Sequence, residues 1–287
     1  MDRIFDTATH IFDPLHTFWS RDKTERNVAG LLVIIFLLSL AAIELNRQGL
    51  LPGSLAQRLP TNHYMAISIA FTLVLILEVI GLIFTLPCSI SRALGKQFEI
   101  LALIFLRNSF KELVSLPEPI TITGENIEVL WRILSDGGGA VVIFAFLGLY
   151  TYLLKKGDDG HSRYGISLYR FVAAKKLVAL IMLVVFLAMG FYNAILILQG
   201  ASPFGFFHHF YTVLIFSDVL LVLISQCFLP QFQAVFRNSG YALATLLIRL
   251  ALTAPPFYNV MIGLSSAVFA VILTLVYNKF YMQRAGA

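Results

Sequence analysis

Four ionisable side chains, Glu78, Arg107, Asp218 and Arg249, lie inside stretches of this chain that otherwise read as membrane-spanning helices. A charge near the centre of a bilayer costs about 2.5 to 3.5 kcal/mol on insertion scales, so each of the four needs a partner or a task. Intramembrane carboxylates mark proton and ion paths, and arginines close by serve as their counter-charges. The four come as an acid followed by a base, twice. Glu78 leads to Leu86-Pro87-Cys88 and on to Ala102-Leu103-Ile104-Phe105-Leu106-Arg107. Asp218 leads to Cys227, to Leu229-Pro230 and on to Ala244-Thr245-Leu246-Leu247-Ile248-Arg249. Acid and arginine stand 29 residues apart in the first instance and 31 in the second.

Apolar sequences align easily, and Leu-Pro commonly ends a membrane helix, so the weight of this match rests on the rare charges. It predicts two parallel halves of four helices, related by an axis along the membrane normal. At 1.5 Å per residue, Asp218 and Arg249 fall at matched depth near the middle of their helices. Glu78 and Glu99 fall in the inner half, where Arg92 and Lys96 are close enough to neutralise them. Taken at 100° per residue, Arg92, Lys96, Glu99 and Arg107 share a sector about 80° wide. Such a polar stripe belongs against a neighbouring helix or a water-filled path, unless the segment lies in the interface and never spans.

The elements that position these charges follow from composition. Of 287 residues, 58% are hydrophobic and only 13% charged, with a mean hydropathy of +0.81. These values exclude an ordinary soluble domain and define an all-α integral membrane protein. Eight spans are expected, at about 28–46, 63–86, 92–116, 138–155, 177–199, 206–228, 239–253 and 257–280. Residues 1–27 form an interfacial N-terminal segment, 28–156 the first transmembrane half and 157–287 the second, with a basic amphipathic segment ahead of it. With the N-terminus inside, fifteen Lys and Arg residues fall on the cytoplasmic side and five outside. The positive-inside rule then places both termini in the cytoplasm and the chain in a cell inner (plasma) membrane. The chain opens with acidic residues and no basic stretch before an apolar core, so no cleavable signal peptide is expected.

Three amphipathic pieces lie outside the expected spans. Ile4, Ala8, Ile11, Phe12, Leu15, Phe18 and Trp19 share one helical face, and Asp13-Pro14 suggests that this segment breaks into two short helices. Tyr164 to Lys176 is expected to rest on anionic lipid before the fifth span. Asn126 to Leu134 forms a short outer helix that Gly137-Gly138-Gly139 is expected to end.

Other chemistry is absent. The excess of basic residues, a net charge of +5, sits in short segments between apolar runs and gives no nucleic-acid reading. Cys88 and Cys227 offer neither a disulfide framework nor metal spacing. His63, His208 and His209 near the outer helix ends read as interfacial rather than metal-binding residues. No P-loop, dinucleotide motif, nucleophile elbow or metalloprotease motif occurs, so no catalytic residue, cofactor or enzyme activity is expected. Arg237 and Arg249 share a helix, but Gly240, Leu243 and Leu246 leave a voltage-sensor register empty.

The leading expectation is a multi-pass protein that moves an ion, proton or small solute. Its pathway carboxylates would be Glu78, Glu99 and Asp218, its counter-charges Arg107 and Arg249, and its supporting charges Arg92 and Lys96. The alternative is a non-enzymatic subunit that anchors or assembles a larger complex, with the charges as structural ion pairs. Expected partners are the bilayer, anionic lipid at the cytoplasmic face, and a second copy or a membrane partner subunit.

Overall fold

The computed structural model describes residues 2–50, 52, 62–87, 90–116, 124–157, 166–199, 202, 205–228 and 232–285. Among them the regular structure is helical throughout: α1 (Asp2–Trp19), α2 (Asp22–Arg47), α3 (Tyr64–Thr85), α4 (Ile90–Glu112), α5 (Ile127–Gly157), α6 (Ile166–Leu198), α7 (Phe206–Phe228), α8 (Phe232–Thr253) and α9 (Tyr258–Ala285), with short 3-10 turns at Leu113–Ser115 and Gly124–Asn126. By length and composition six of these are able to cross a membrane: α2, α3, α5, α6, α7 and α9. The apolar surface agrees with a membrane-embedded chain. Phe144, Phe191, Leu198 and Phe216 each expose more than two thirds of their surface, and water would penalise a belt of such residues.

The bundle has two apolar cores. One joins α4, α5, α8 and α9 around Phe98, Phe105, Tyr150 and Tyr241. The other joins α1, α3, α4, α6 and α7 around Phe12, Leu82, Ile83, Phe210 and Leu214. Only α4 belongs extensively to both, and it packs against α3, α5 and α8. Consecutive helices pack in order from α2 to α5 and again from α6 to α9, and the two series meet where α4 packs on α8, α5 on α9 and α3 on α6. By contrast α2 touches little besides α3, and Leu31, Val33, Ile34, Leu37 and Leu38 on it are each more than half exposed.

Three local expectations change. The segment with Pro14 is one helix, not two. Proline removes one backbone hydrogen bond, but Ala8, Phe12 and Trp19 dock on one surface: Phe12 and Trp19 lie 5.7 and 5.8 Å from the Phe84 ring, and Asp13 pairs with Lys176 at 2.7 Å. Residues 166–176 are not a separate interfacial helix but the first turns of the 33-residue α6. Gly137-Gly138-Gly139 does not end a helix either, because α5 runs straight through it for 31 residues. A glycine there costs about 1 kcal/mol in helix propensity, but it lets helices approach closely. A Cβ on Gly139 would stand 2.7 Å from Val260 Cγ1, and one on Gly240 would stand 2.5 Å from Leu273 Cδ2. Cys88, Leu229-Pro230 and the turn at 158–161 lie outside the described residues.

This packing separates two adjacent glycines. Val260 is β-branched and stiff, so Gly139→Ala is expected to lower unfolding stability by about 1–3 kcal/mol. Nothing lies within 4 Å of a Cβ at Gly138, so Gly138→Ala should instead be neutral or raise stability by up to about 1 kcal/mol. Denaturant unfolding in detergent, followed by circular dichroism, reads the difference.

Candidate functional site

Tyr211 and Asp218 are seven residues apart on α7 and so share one helical face, as Thr245 and Arg249 do on α8. Where the faces meet, Arg249 Nη2 stands 3.9 Å from Asp218 Oδ2, with the Arg249 side chain 2% and the Asp218 side chain 10% exposed. Thr245 lies beside the carboxylate, and the guanidinium lies 6.0 Å from the centre of the Tyr211 ring, within cation-π reach. At 3.9 Å the two groups attract as charges but are too far apart for a hydrogen bond. Asp218 Oδ2, Arg249 Nε and Arg249 Nη2 make no hydrogen bond within the described protein. A buried charged group left in that state costs about 1–3 kcal/mol or more.

A cavity of about 440 Å³ opens at the end of the bundle opposite α1, and Tyr211 is part of its wall. Its two sides differ in charge because α4 turns different faces to different neighbours. Arg107 and Lys111, four residues apart, face α3 and α7, and Arg107 Nη2 donates to Thr72 Oγ1 at 2.9 Å while its Nε stays unpartnered. Ser109 and Glu112, three apart, face α5: Ser109 donates to the Ile133 carbonyl at 3.1 Å, and Glu112 Oε2 stands 3.8 Å from Arg132 Nη1. Beside them Asp136, 5% exposed, accepts from Asn259 Nδ2 at 2.8 Å. The rim between α8 and α9 is the turn Ala254-Pro255-Pro256-Phe257. Phe257 has φ 71°, a left-handed conformation that costs a bulky side chain about 1–2 kcal/mol. Backbone bonds from Asn259 to Pro255 and from Met261 to Phe257, both 3.1 Å, hold it.

A second charged cluster lies toward α1. Lys96 Nζ bridges Glu78 Oε2 at 2.8 Å and Glu99 Oε2 at 2.9 Å. Gly81, one turn from Glu78, leaves room for Lys96 Cε and Trp19 Nε1, each 3.7 Å from its Cβ position. Glu99 and Arg92 are exposed.

The structure thus brings Asp218 to Arg249 but does not bring Glu78 to Arg107. Helices α3 and α4 are antiparallel, and Thr72 rather than Glu78 lies level with Arg107, nearly two turns away along α3. Lys96, read from sequence as a supporting charge, holds Glu78 instead. The polar stripe of α4 faces α3 at Lys96 and Arg107. His63 meets Glu44 at 2.9 Å, and His209 lies 2.9 Å from the Gly205 carbonyl. Among the described residues no three His, Cys, Asp or Glu side chains cluster as metal ligands. The cavity residues Asp136, Asn259 and Tyr211, and Thr72 beside Arg107, escape sequence reasoning because only packing unites them. The one local signal is Pro255-Pro256 ahead of a buried Asn259.

No family model, no curated protein and no solved structure matches this chain.

The buried pair predicts a non-additive pattern. Arg249→Met strands a buried carboxylate, and Asp218→Leu strands a buried guanidinium. Each is expected to lower unfolding stability by about 3–5 kcal/mol, while the double variant recovers most of the loss. A double-mutant cycle on thermal unfolding in detergent checks this, and additive losses would contradict a coupled pair.

Proposed function

We propose that this is a multi-pass inner-membrane protein that moves an ion, proton or small solute, with both termini in the cytoplasm. The observation that carries the reading is the polar cavity walled by Tyr211, next to a buried Asp218–Arg249 pair in which Asp218 Oδ2 and Arg249 Nε and Nη2 lack hydrogen bonds within the described protein. A purely structural ion pair gains most from short, complete hydrogen bonding, whereas a group that must exchange partners is better held loosely. Charge distribution along the chain makes the α1 end cytoplasmic, so the cavity faces outward and the Glu78–Lys96–Glu99 cluster inward.

Eight spans follow if α4 and α8 also cross. They have 23 and 22 residues, about 33–35 Å at 1.5 Å per residue, against a hydrocarbon core of about 30 Å. Two features support a duplication beyond the spacing of the charges. Helix order and packing are the same in α2 to α5 and α6 to α9. The acid helices also share an aromatic residue and threonine at the same distance before the acid: Phe71-Thr72 before Glu78, and Tyr211-Thr212 before Asp218.

In proteoliposomes under an imposed proton or ion gradient, the parent protein should show flux. Folded Asp218→Asn and Glu78→Gln variants should lose about tenfold or more of it. Unchanged flux in both variants, or none in the parent, overturns the reading. A second reading, a non-enzymatic anchoring or assembly subunit, draws support from the uncovered apolar face of α2. A stoichiometric partner on native co-purification, with no flux in the parent, would favour it.

A further inference from the structure

We propose that the outward cavity binds a small zwitterionic solute with an aliphatic body, an α-amino acid of the leucine type, held by Arg107 at its carboxylate and by Asp136 at its ammonium. The proposal names the solute of the transport reading and rests on that reading for its physiological role, but the site itself is argued from the cavity.

Two poles of opposite sign stand on different walls and are not spent on each other. Arg107 meets no carboxylate among the described residues: one Nη is engaged by the neutral Thr72 hydroxyl, and Nε has no partner. An arginine on the cavity wall that is not matched by an acid favours a carboxylate on the solute. Asp136, on the α5 side, receives a single hydrogen bond, from the Asn259 amide, which carries no charge. Asn259 is itself fixed, since its Oδ1 accepts the Val260 N–H at 2.8 Å. Glu112 is drawn off by Arg132, and Lys111 is exposed to water at the mouth, where it guides charge rather than grips it.

A cavity with one basic and one acidic pole disfavours a solute of net charge. A lone anion would neutralise Arg107 and leave Asp136 uncompensated in a poorly solvated wall, and a lone cation would do the reverse. A zwitterion satisfies both poles at once. Leu75, Ile104, Phe207 and Leu252 supply apolar wall for an aliphatic side chain, beside the polar Asn108, His208 and Thr253.

The test is calorimetric titration of the full-length protein in lipid nanodiscs with L-leucine, with 4-methylpentanoate, which keeps the carboxylate alone, and with 3-methylbutylamine, which keeps the amine alone. Saturable leucine binding is expected, with each half-molecule weaker by at least about tenfold. Arg107→Gln and Asp136→Asn should each weaken leucine binding by a similar factor, and Ala254→Trp should block the mouth without touching either pole. Thermal unfolding of each variant separates lost binding from lost fold. No leucine binding in the parent overturns the proposal. So does 4-methylpentanoate binding as tightly as leucine with Asp136→Asn silent, which would make this an anion site. Leucine binding without flux would leave the site standing and remove the transport reading, whereas ion flux without leucine binding would do the opposite.

Discussion

The arrangement of this bundle depends on the need to keep α4 out of hydrocarbon. It is not among the six helices apolar enough to cross on their own, and it carries Arg92, Lys96, Glu99, Arg107 and Lys111 along its length. Left facing lipid, those charges would cost several kcal/mol each or force the helix into the interface. The fold resolves this by enclosure. Between the charged ends, Phe98, Leu101 and Phe105 are fully buried, with α3, α5 and α8 around them. Gly263 brings α9 close enough that a Cβ there would meet Phe105 and Leu101 at 3.1 and 3.2 Å. The charges emerge at the two ends, where they build the Lys96 cluster on one side and the basic cavity wall on the other. The same polarity that disqualifies α4 as an independent span makes it the organising helix.

The cavity is maintained by features that favour rigidity over maximal packing. Pro255 and Pro256 fix the chain just before Phe257 takes a left-handed conformation, and Asn259 then turns inward to Asp136. Strain at a cavity rim is tolerable only where neighbouring structure over-determines it. Here the first turn of α9 does so through its backbone bonds to Pro255 and Phe257.

Much of this architecture is legible in the sequence, and the failures have physical causes. Each of the eight apolar stretches coincides with a helix, because a run of about twenty apolar residues leaves the backbone few other ways to satisfy its hydrogen bonds. What one-dimensional reasoning misjudges is continuity. Pro14 and Gly137-Gly138-Gly139 carry strong local stop signals, yet tertiary contacts to Phe84 and Val260 outweigh a propensity of at most a few kcal/mol. The meeting of Asp218 and Arg249 is foreshadowed by matched depth. The absence of a Glu78–Arg107 contact is not, because depth gives height in the bundle but not the direction in which a side chain points.

That difference between the two acid helices has a local explanation. Superposing the arginine helices on Arg107 and Arg249 sets Lys96 level with Asn238 and Glu99 level with Tyr241. On α4 a lysine is therefore available one helix away from Glu78, and it bridges Glu78 to Glu99 near the α1 end of the bundle. On α8 the residue at that level is neutral, and Asn238 bonds instead to Ser225 within the bundle. Among the described residues it is Arg249 that meets Asp218 and offsets its burial. Arg107, with no acid beside it among the described residues, donates to the neutral Thr72 and lines the cavity. A single lysine on α4 thus accounts for both asymmetries: a buried Asp218–Arg249 pair on one side, and on the other an Arg107 that meets a hydroxyl rather than an acid.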